Sequence, residues 1–265
     1  MQPLSLVAVA VGNTRTRVGR IEGKEVFDPV SVANTSAEDV AAAVRKAAEG
    51  HHEIAIVVSS VNRPLSDAIA DKLAGENVLR FGVDLDIRMN HGLDDDSTVG
   101  QDRLLNALGA FARAEQACIV IDAGTAVTVD FVDGVGAFQG GVIAPGLAMM
   151  LKSLHEHTSA LPLVEVAKPE PARGVFGKDT RHAMVLGAIG SAQGLVRLMI
   201  ERYAEAYGAY PQIVATGGDA ALLFENDELV EHVIPDLQLM GIREAFKREL
   251  DAEAGEDVDV DEDEA

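Results

Sequence analysis

Apolar and alternating segments follow one another closely along the chain and divide it into short elements. Residues 4–11 (LSLVAVAV) are almost continuously apolar, residues 15–22 alternate, and residues 25–32 make a third extended run, so three strands are predicted, joined through Gly12 and through Glu22 and Gly23. Asn34 or Ser36 can cap a helix from Ala37 to Glu49, in which Val40, Ala43, Val44 and Ala47 form one stripe. Ile54 to Ser59 is apolar without alternation, which fits a parallel strand covered on both faces. Pro64 sits in the first turn of a helix reaching about Ala74, and Val78 to Phe81 is a short strand. Three strands in a meander are thus followed by helix, strand, helix and strand.

A polar loop after Asp84 leads into VGQDR at 99–103, which opens a helix continuing LLNALGAFARA, with Ser97 or Thr98 as the expected cap. The strand pattern then restarts. CIVIDAGTAVTVDF at 118–131 is an apolar strand ending on Asp122, a small-residue turn at Ala123 and Gly124, and a second strand; Gly12 laid on Gly124 places the two strand-turn-strand units 112 residues apart. Phe138 to Gly146 is a third strand and Leu147 to His155 a helix, while Thr158 to Arg173, with Pro162, Pro169 and Pro171, reads as a loop. A long helix over Thr180 to Tyr207 carries Ala183, Gly187, Gly190, Ser191 and Gly194, small enough for another backbone to approach, within the protomer or across a dimer. A strand at Gln212 to Thr216, a turn at Gly217 to Asp219, a short helix at Ala220 to Phe224, a strand at Val230 to Ile234 and a helix at Gly241 to Leu250 complete the pattern. The duplication predicts two lobes, 1–115 and 116–252, and EAGEDVDVDEDEA at 253–265 has neither period and reads as a solvated acidic tail.

Composition narrows the function classes. The 265 residues are 48% hydrophobic with no Trp, and no uninterrupted apolar run approaches the ~18 residues that span a bilayer, so a soluble globular protein with no membrane partner is expected. The opening MQPLSLVAVAVGN has no basic n-region and reads as a core strand and not a signal peptide. The single cysteine, Cys118, excludes an internal disulfide, suits a reducing cytoplasmic compartment and reads as a structural thiol. A formal net charge of -21 argues against a nucleic-acid partner. The tail holds eight carboxylates, so the folded body is acidic without it.

Candidate chemistry lies in the turns. Glycine lets a backbone approach a ligand, and the N–H groups and Thr hydroxyls of the Gly12 and Gly124 turns can hydrogen-bond a phosphate chain; an ordinary hairpin turn is the plainer reading of either alone. Asp102 falls in the first turn of its helix, where the dipole favours the carboxylate. Asp94 to Asp96 are successive carboxylates that diverge unless the loop folds around an ion, and His155 and His157 diverge on a helix, which argues against a zinc pair.

The duplicated hairpin resembles the phosphate loops of the acetate/sugar kinase, Hsp70 and actin superfamily. VGNT at 11–14, VGQDR at 99–103, DAGTAVTVD at 122–130, GGVIAPG at 140–146, GKDT at 177–180 and TGGD at 216–219 stand in the order found in the type III pantothenate kinases, and the resemblance runs to about Leu250. It implies an α/β fold of two ribonuclease-H-like lobes with the active site in the cleft, and transfer of the ATP γ-phosphoryl group to pantothenate in the cytoplasm, the first step of coenzyme A synthesis. By the same resemblance Ala10, Val11, Gly12, Asn13, Thr14, Arg15, Thr16, Arg17 and Thr125 contact the nucleotide phosphates, and Gly217 and Gly218 approach the adenosine. Gly100, Gln101, Asp102 and Arg103 line the pantothenate pocket with Thr180, contributed across a homodimer; Asp102 is the catalytic base, and Asp122 holds a monovalent cation, potassium or ammonium, beside the Mg²⁺ that accompanies ATP.

Two positions depart from that pattern. The family's first loop begins with aspartate where this chain has Ala10, and Leu93 stands where a tyrosine walls the pantothenate pocket. A ligand-binding relative with impaired catalysis, and a kinase of another small hydroxylated substrate, are the alternative readings.

Overall fold

The computed structural model describes residues 4–51 and 53–260, the last six by backbone alone. Two five-stranded sheets carry the chain, and they share one strand order. The first runs β3-β2-β1-β4-β5, from β1 (Ser5–Val11), β2 (Arg15–Glu22), β3 (Glu25–Ala33), β4 (Ala55–Ser60) and β5 (Val78–Arg80), with α1 (Ala37–Ala48) and α2 (Arg63–Lys72) between the last three. After α3 (Gln101–Ala114) come β6 (Cys118–Ala123), β7 (Ala126–Val132) and β8 (Phe138–Pro145), then α4 (Leu147–Glu156), α5 (Thr180–Tyr207), β9 (Gln212–Thr216), α6 (Ala220–Phe224), β10 (His232–Val233) and α7 (Leu237–Val260). The second sheet runs β10-β9-β6-β7-β8, so each strand has a counterpart in the first. The expected α/β fold of two ribonuclease-H-like units is present.

In the first unit β1 pairs antiparallel with β2 and parallel with β4, whose apolar run is buried from Ile56 to Val58. One face packs on α1 and α2 through Val7, Val9, Val40, Val44 and Ile69; the other packs Leu6, Ala8, Ala10 and Ile21 against Leu105, Leu108, Leu239, Ile242 and Phe246. Ser36 caps α1 by accepting the Asp39 N–H at 3.3 Å, and Asn62 caps α2 by accepting that of Leu65 at 3.3 Å. The core of the second unit joins Ile119, Ile121, Val127 and Val129 to Leu147, Leu151, Ala192, Val196 and Ile200.

Three expectations change. Residues from Asp236 onward group with residues 4–115 and not with the 116–252 lobe, because the apolar stripe of α7 fills the α3 face of the first sheet. Helix α7 begins four residues before the expected Gly241 and continues through Val260 into the segment read as a tail from Glu253, an extension of the turns that its packed half nucleates; residues 261–265 lie outside the described residues. Helix α5, interrupted by charge in the sequence, is long and apolar enough by length and composition to cross a membrane. Its stripe Met184, Ala188, Ala192, Val196, Met199 and Ile200 is buried in the second core, which uses about a third of that apolar stretch.

Candidate functional site

At the end of β1 the chain must reverse within three residues. The Gly12 N–H donates to the Arg15 carbonyl at 3.1 Å, and a Cβ on Gly12 would stand 2.9 Å from that oxygen, which is why glycine occupies the turn. Asn34, at the end of β3, ties the turn down: its Nδ2 donates to the Gly12 carbonyl at 2.8 Å, its Oδ1 accepts the Thr16 hydroxyl at 2.7 Å, and its N–H donates to the Thr14 carbonyl at 3.0 Å. Ala10, Val11 and Thr16 are buried, whereas Asn13, Thr14 and Arg15 are exposed. Arg15 spends Nε and one terminal nitrogen on Ser31, each at 2.8 Å. Asn34 was legible in the sequence only as a cap; holding this turn is a role that local pattern does not reveal.

The corresponding turn in the second unit is closed by three glycines. Gly124 donates its N–H to the Ala126 carbonyl at 2.9 Å, and Gly146 donates to the Thr125 carbonyl at 3.1 Å, so close that a Cβ there would collide with the Gly124 carbonyl. Gly217 has φ +96 and abuts Asp122 and the Ala123 carbonyl, which also accepts the Asp219 N–H at 2.8 Å. Asp122, Thr125, Gly217 and Gly218 therefore belong to one neighbourhood, with Thr125 and Gly218 exposed. Asp122 is half-buried at the end of β6, in register with Thr128 and Thr216, and its Oδ1 lies against Gly217. A carboxylate is a hard oxygen donor, the kind that ligates hard cations. Burial raises the Asp219 carboxyl above the ordinary range.

The segment 99–103 is built differently from expectation. Neither Ser97 nor Thr98 caps α3; the N-cap is Gly100, which has no side chain to bond, and the Asp102 carboxylate instead accepts the Arg103 N–H at 2.9 Å. A Cβ at Gly100 would collide with Asp102 Oδ1, so glycine there makes room for the carboxylate. Burial raises the Asp102 carboxyl, and the Arg103 N–H and guanidinium only partly oppose it. Arg103 lies over the Phe138 ring at 5.5 Å. Gln101 bonds protein at both ends of its amide: Oε1 accepts the Ser60 N–H at 3.0 Å and Nε2 donates to the Phe81 carbonyl at 2.9 Å, pinning the start of α3 to the ends of β4 and β5. Leu93 is half-buried in the preceding loop, its N–H against His91 Nδ1 at 3.4 Å.

Thr180 is the exposed first residue of α5, whose N-cap Asp179 accepts the His182 N–H at 2.9 Å and the Arg173 guanidinium at 2.6 Å. The Asp94–Asp96 run is absorbed locally: Asp95 accepts the Ser97 N–H and Asp96 pairs with His91 at 3.1 Å. No group of three or more His, Cys, Asp or Glu side chains that could hold a metal ion occurs among the described residues. Cys118 is buried, and burial pushes its thiol up to about 12, the inert end of thiol chemistry.

Residues 6–202 match the family model of type III pantothenate kinases. A type III pantothenate kinase of Dehalococcoides mccartyi is 34% identical over 251 residues, 90% of this chain and 95% of that protein. Another, of Akkermansia muciniphila, is 43% identical over 160 residues, a match that spans 65% of that relative and 60% of this chain. Among solved structures, a conserved Baf family protein from Campylobacter jejuni superposes with a TM-score of 0.58 at 18% identity, over 92% of this chain and 98% of that one; this likeness carries the fold.

Proposed function

This chain belongs to the type III pantothenate kinases, and we propose from that premise that it phosphorylates the hydroxyl of pantothenate with ATP, Asp102 serving as the base. The observation that carries the assignment of the base is the carboxylate itself. It is half-buried in the first turn of α3, raised by burial yet beside Arg103, with glycine kept at 100 to leave it space. A carboxylate so placed accepts the proton as the hydroxyl oxygen attacks the γ-phosphorus, a contribution typically worth ~10²- to 10⁴-fold. Arg103, always charged and planar, pairs with the carboxylate of pantothenate, and Gly100 lets the substrate approach the helix start. Gln101, whose amide bonds Ser60 and Phe81, holds this segment in place and keeps a second N–H with which to line the pantothenate pocket.

Transfer of a phosphoryl group is mostly a matter of positioning and charge. The N–H groups and hydroxyls from Ala10 to Arg17, with Thr125, receive the phosphate chain, and Gly217 and Gly218 receive the adenosine. Asp122 would hold potassium or ammonium, and Mg²⁺ would come with ATP, an ion that needs few protein carboxylates. Bound cations offset the charge that an acidic chain adds to a polyphosphate. Thr180 completes the pantothenate pocket from a second protomer, the small residues of α5 providing the dimer contact, and the enzyme works in the cytoplasm. The test is direct: purified protein with ATP, Mg²⁺, potassium and pantothenate forms phosphopantothenate. Ligand binding without product would overturn the kinase reading in favour of a binding relative.

A further inference from the structure

Arg17 lies directly opposite Ala10 on β2, and Ser59 lies opposite Ala10 on β4, so one alanine separates a guanidinium from a hydroxyl on the same sheet face, two residues before the Gly12 turn. The start of α7 meets both. Asp236, immediately before the helix, accepts the Arg17 Nε–H at 2.5 Å, and Gln238 Nε2 donates to the Ser59 hydroxyl at 3.4 Å. The ion pair is largely sheltered, with side-chain exposure of 31% for Arg17 and 19% for Asp236, which lifts it above the class of surface pairs that contribute little. Arginine presents five N–H donors, and Asp236 takes the one on Nε; among the described residues neither terminal nitrogen of Arg17 has a protein acceptor. Arg15, the other cation of this stretch, is committed to Ser31. Arg17 is therefore the guanidinium beside the turn that is both fixed in place and left with two donor groups to offer.

We infer that Asp236 is a positioning residue for nucleotide binding, holding Arg17 by its Nε so that the terminal N–H groups face the phosphate chain of ATP. This rests on the reading of the Gly12 turn as a phosphate site. A free arginine would spread over many rotamers and swing toward solvent; one donor anchored to a carboxylate removes most of that freedom before the ligand arrives. A residue 219 positions away thus completes the first phosphate loop.

The experiment is a double-mutant cycle on the full chain, read as the KM of each substrate and kcat, with a thermal melt for every variant. Arg17→Ala and Asp236→Ala each raise the KM for ATP by about fivefold or more, leave the KM for pantothenate within about twofold, and show no further loss when combined. Asp236→Asn, which keeps an acceptor for the Nε–H, restores the KM for ATP to within about threefold of the parent. Additive losses in the double variant, an equal rise in the KM for pantothenate, or failure of the Asn rescue would each overturn the proposal. Thr14→Ala separates it from the reading beneath it. If Thr14→Ala raises the KM for ATP while Arg17→Ala does not, the phosphate site stands and the role of Asp236 falls; if neither does, the phosphate site falls as well.

Discussion

In the proposed reaction Asp102 and Ala10 are the two residues on which the chemistry turns. Asp102→Asn keeps the acceptor for the Arg103 N–H and the shape of the helix start but removes the proton acceptor, so turnover falls by at least ~10²-fold while pantothenate still binds. The sign of the pH dependence follows from the raised carboxyl: the proposed base acts when deprotonated, so kcat/KM falls as pH drops through a value above that of an ordinary Asp, and the Asn variant lacks that acid limb. A variant within about threefold of the parent at pH 7 would remove Asp102 from the mechanism. Ala10 is 3% exposed, and the register sets Arg17 and Ser59 on either side of it. A carboxylate introduced by Ala10→Asp lies between the Ser59 hydroxyl and Arg17, whose Nε is already held by Asp236, so its stability cost is the ~1–3 kcal/mol typical of a buried polar group. The expected result is a lowered melting temperature with faster turnover or a lower Mg²⁺ requirement. Unchanged rate and Mg²⁺ dependence in a folded variant would mean that position 10 does not face the metal.

At the scale of the element, the two glycines after β9 separate fold from ligand. Gly217 has φ +96 and abuts Asp122, so Gly217→Ala strains the turn by about 1–3 kcal/mol and displaces the Asp122 carboxylate with it. Gly218 is exposed, and a Cβ there meets nothing within 4 Å, so the protein accepts Gly218→Ala without loss of melting temperature. A rise in the KM for ATP in this second variant reports the methyl against the adenosine; an unchanged KM would withdraw Gly218 from the nucleotide site. Helix α5 poses a similar question. Its buried stripe serves the core, yet Gly187, Gly190, Ser191 and Gly194 lie exposed, and Ser191 returns its hydroxyl to the Gly187 carbonyl at 2.8 Å. These residues leave a shallow face along the helix, which suits close backbone approach by a second copy.

At the scale of the molecule the predictions concern assembly and ions. Light scattering at working concentration should give a dimer, and Gly190→Leu, which crowds the exposed face of α5, should give a monomer with much reduced turnover. A fully active monomer would refute a site that needs Thr180 of the partner. Replacing potassium by sodium should collapse activity, and Asp122→Ala should abolish the difference between the two ions. A rate equal in both ions for the parent chain would remove the cation from Asp122.

Much of this was legible in the sequence because it depends on short-range periodicity. The alternation of residues 15–22, the apolar run of 54–59 and the small-residue helix 180–207 each set an element whose type follows from side-chain spacing, and the repeat of Gly12 at Gly124 announced two related units. Caps formed where Ser36 offered an oxygen to the N–H three residues on, a local geometry any chain can satisfy. Tertiary structure decided whatever required two distant segments to meet. An apolar stripe does not name its partner, so only packing could assign α7 to the first unit; a polar side chain does not announce its acceptor, so only the fold could engage Gln101 with Ser60 and Phe81 and bring Asp236 to Arg17. Local spacing fixes the period of burial, whereas the free energy that selects one partner from many arises only when both desolvated surfaces are present together.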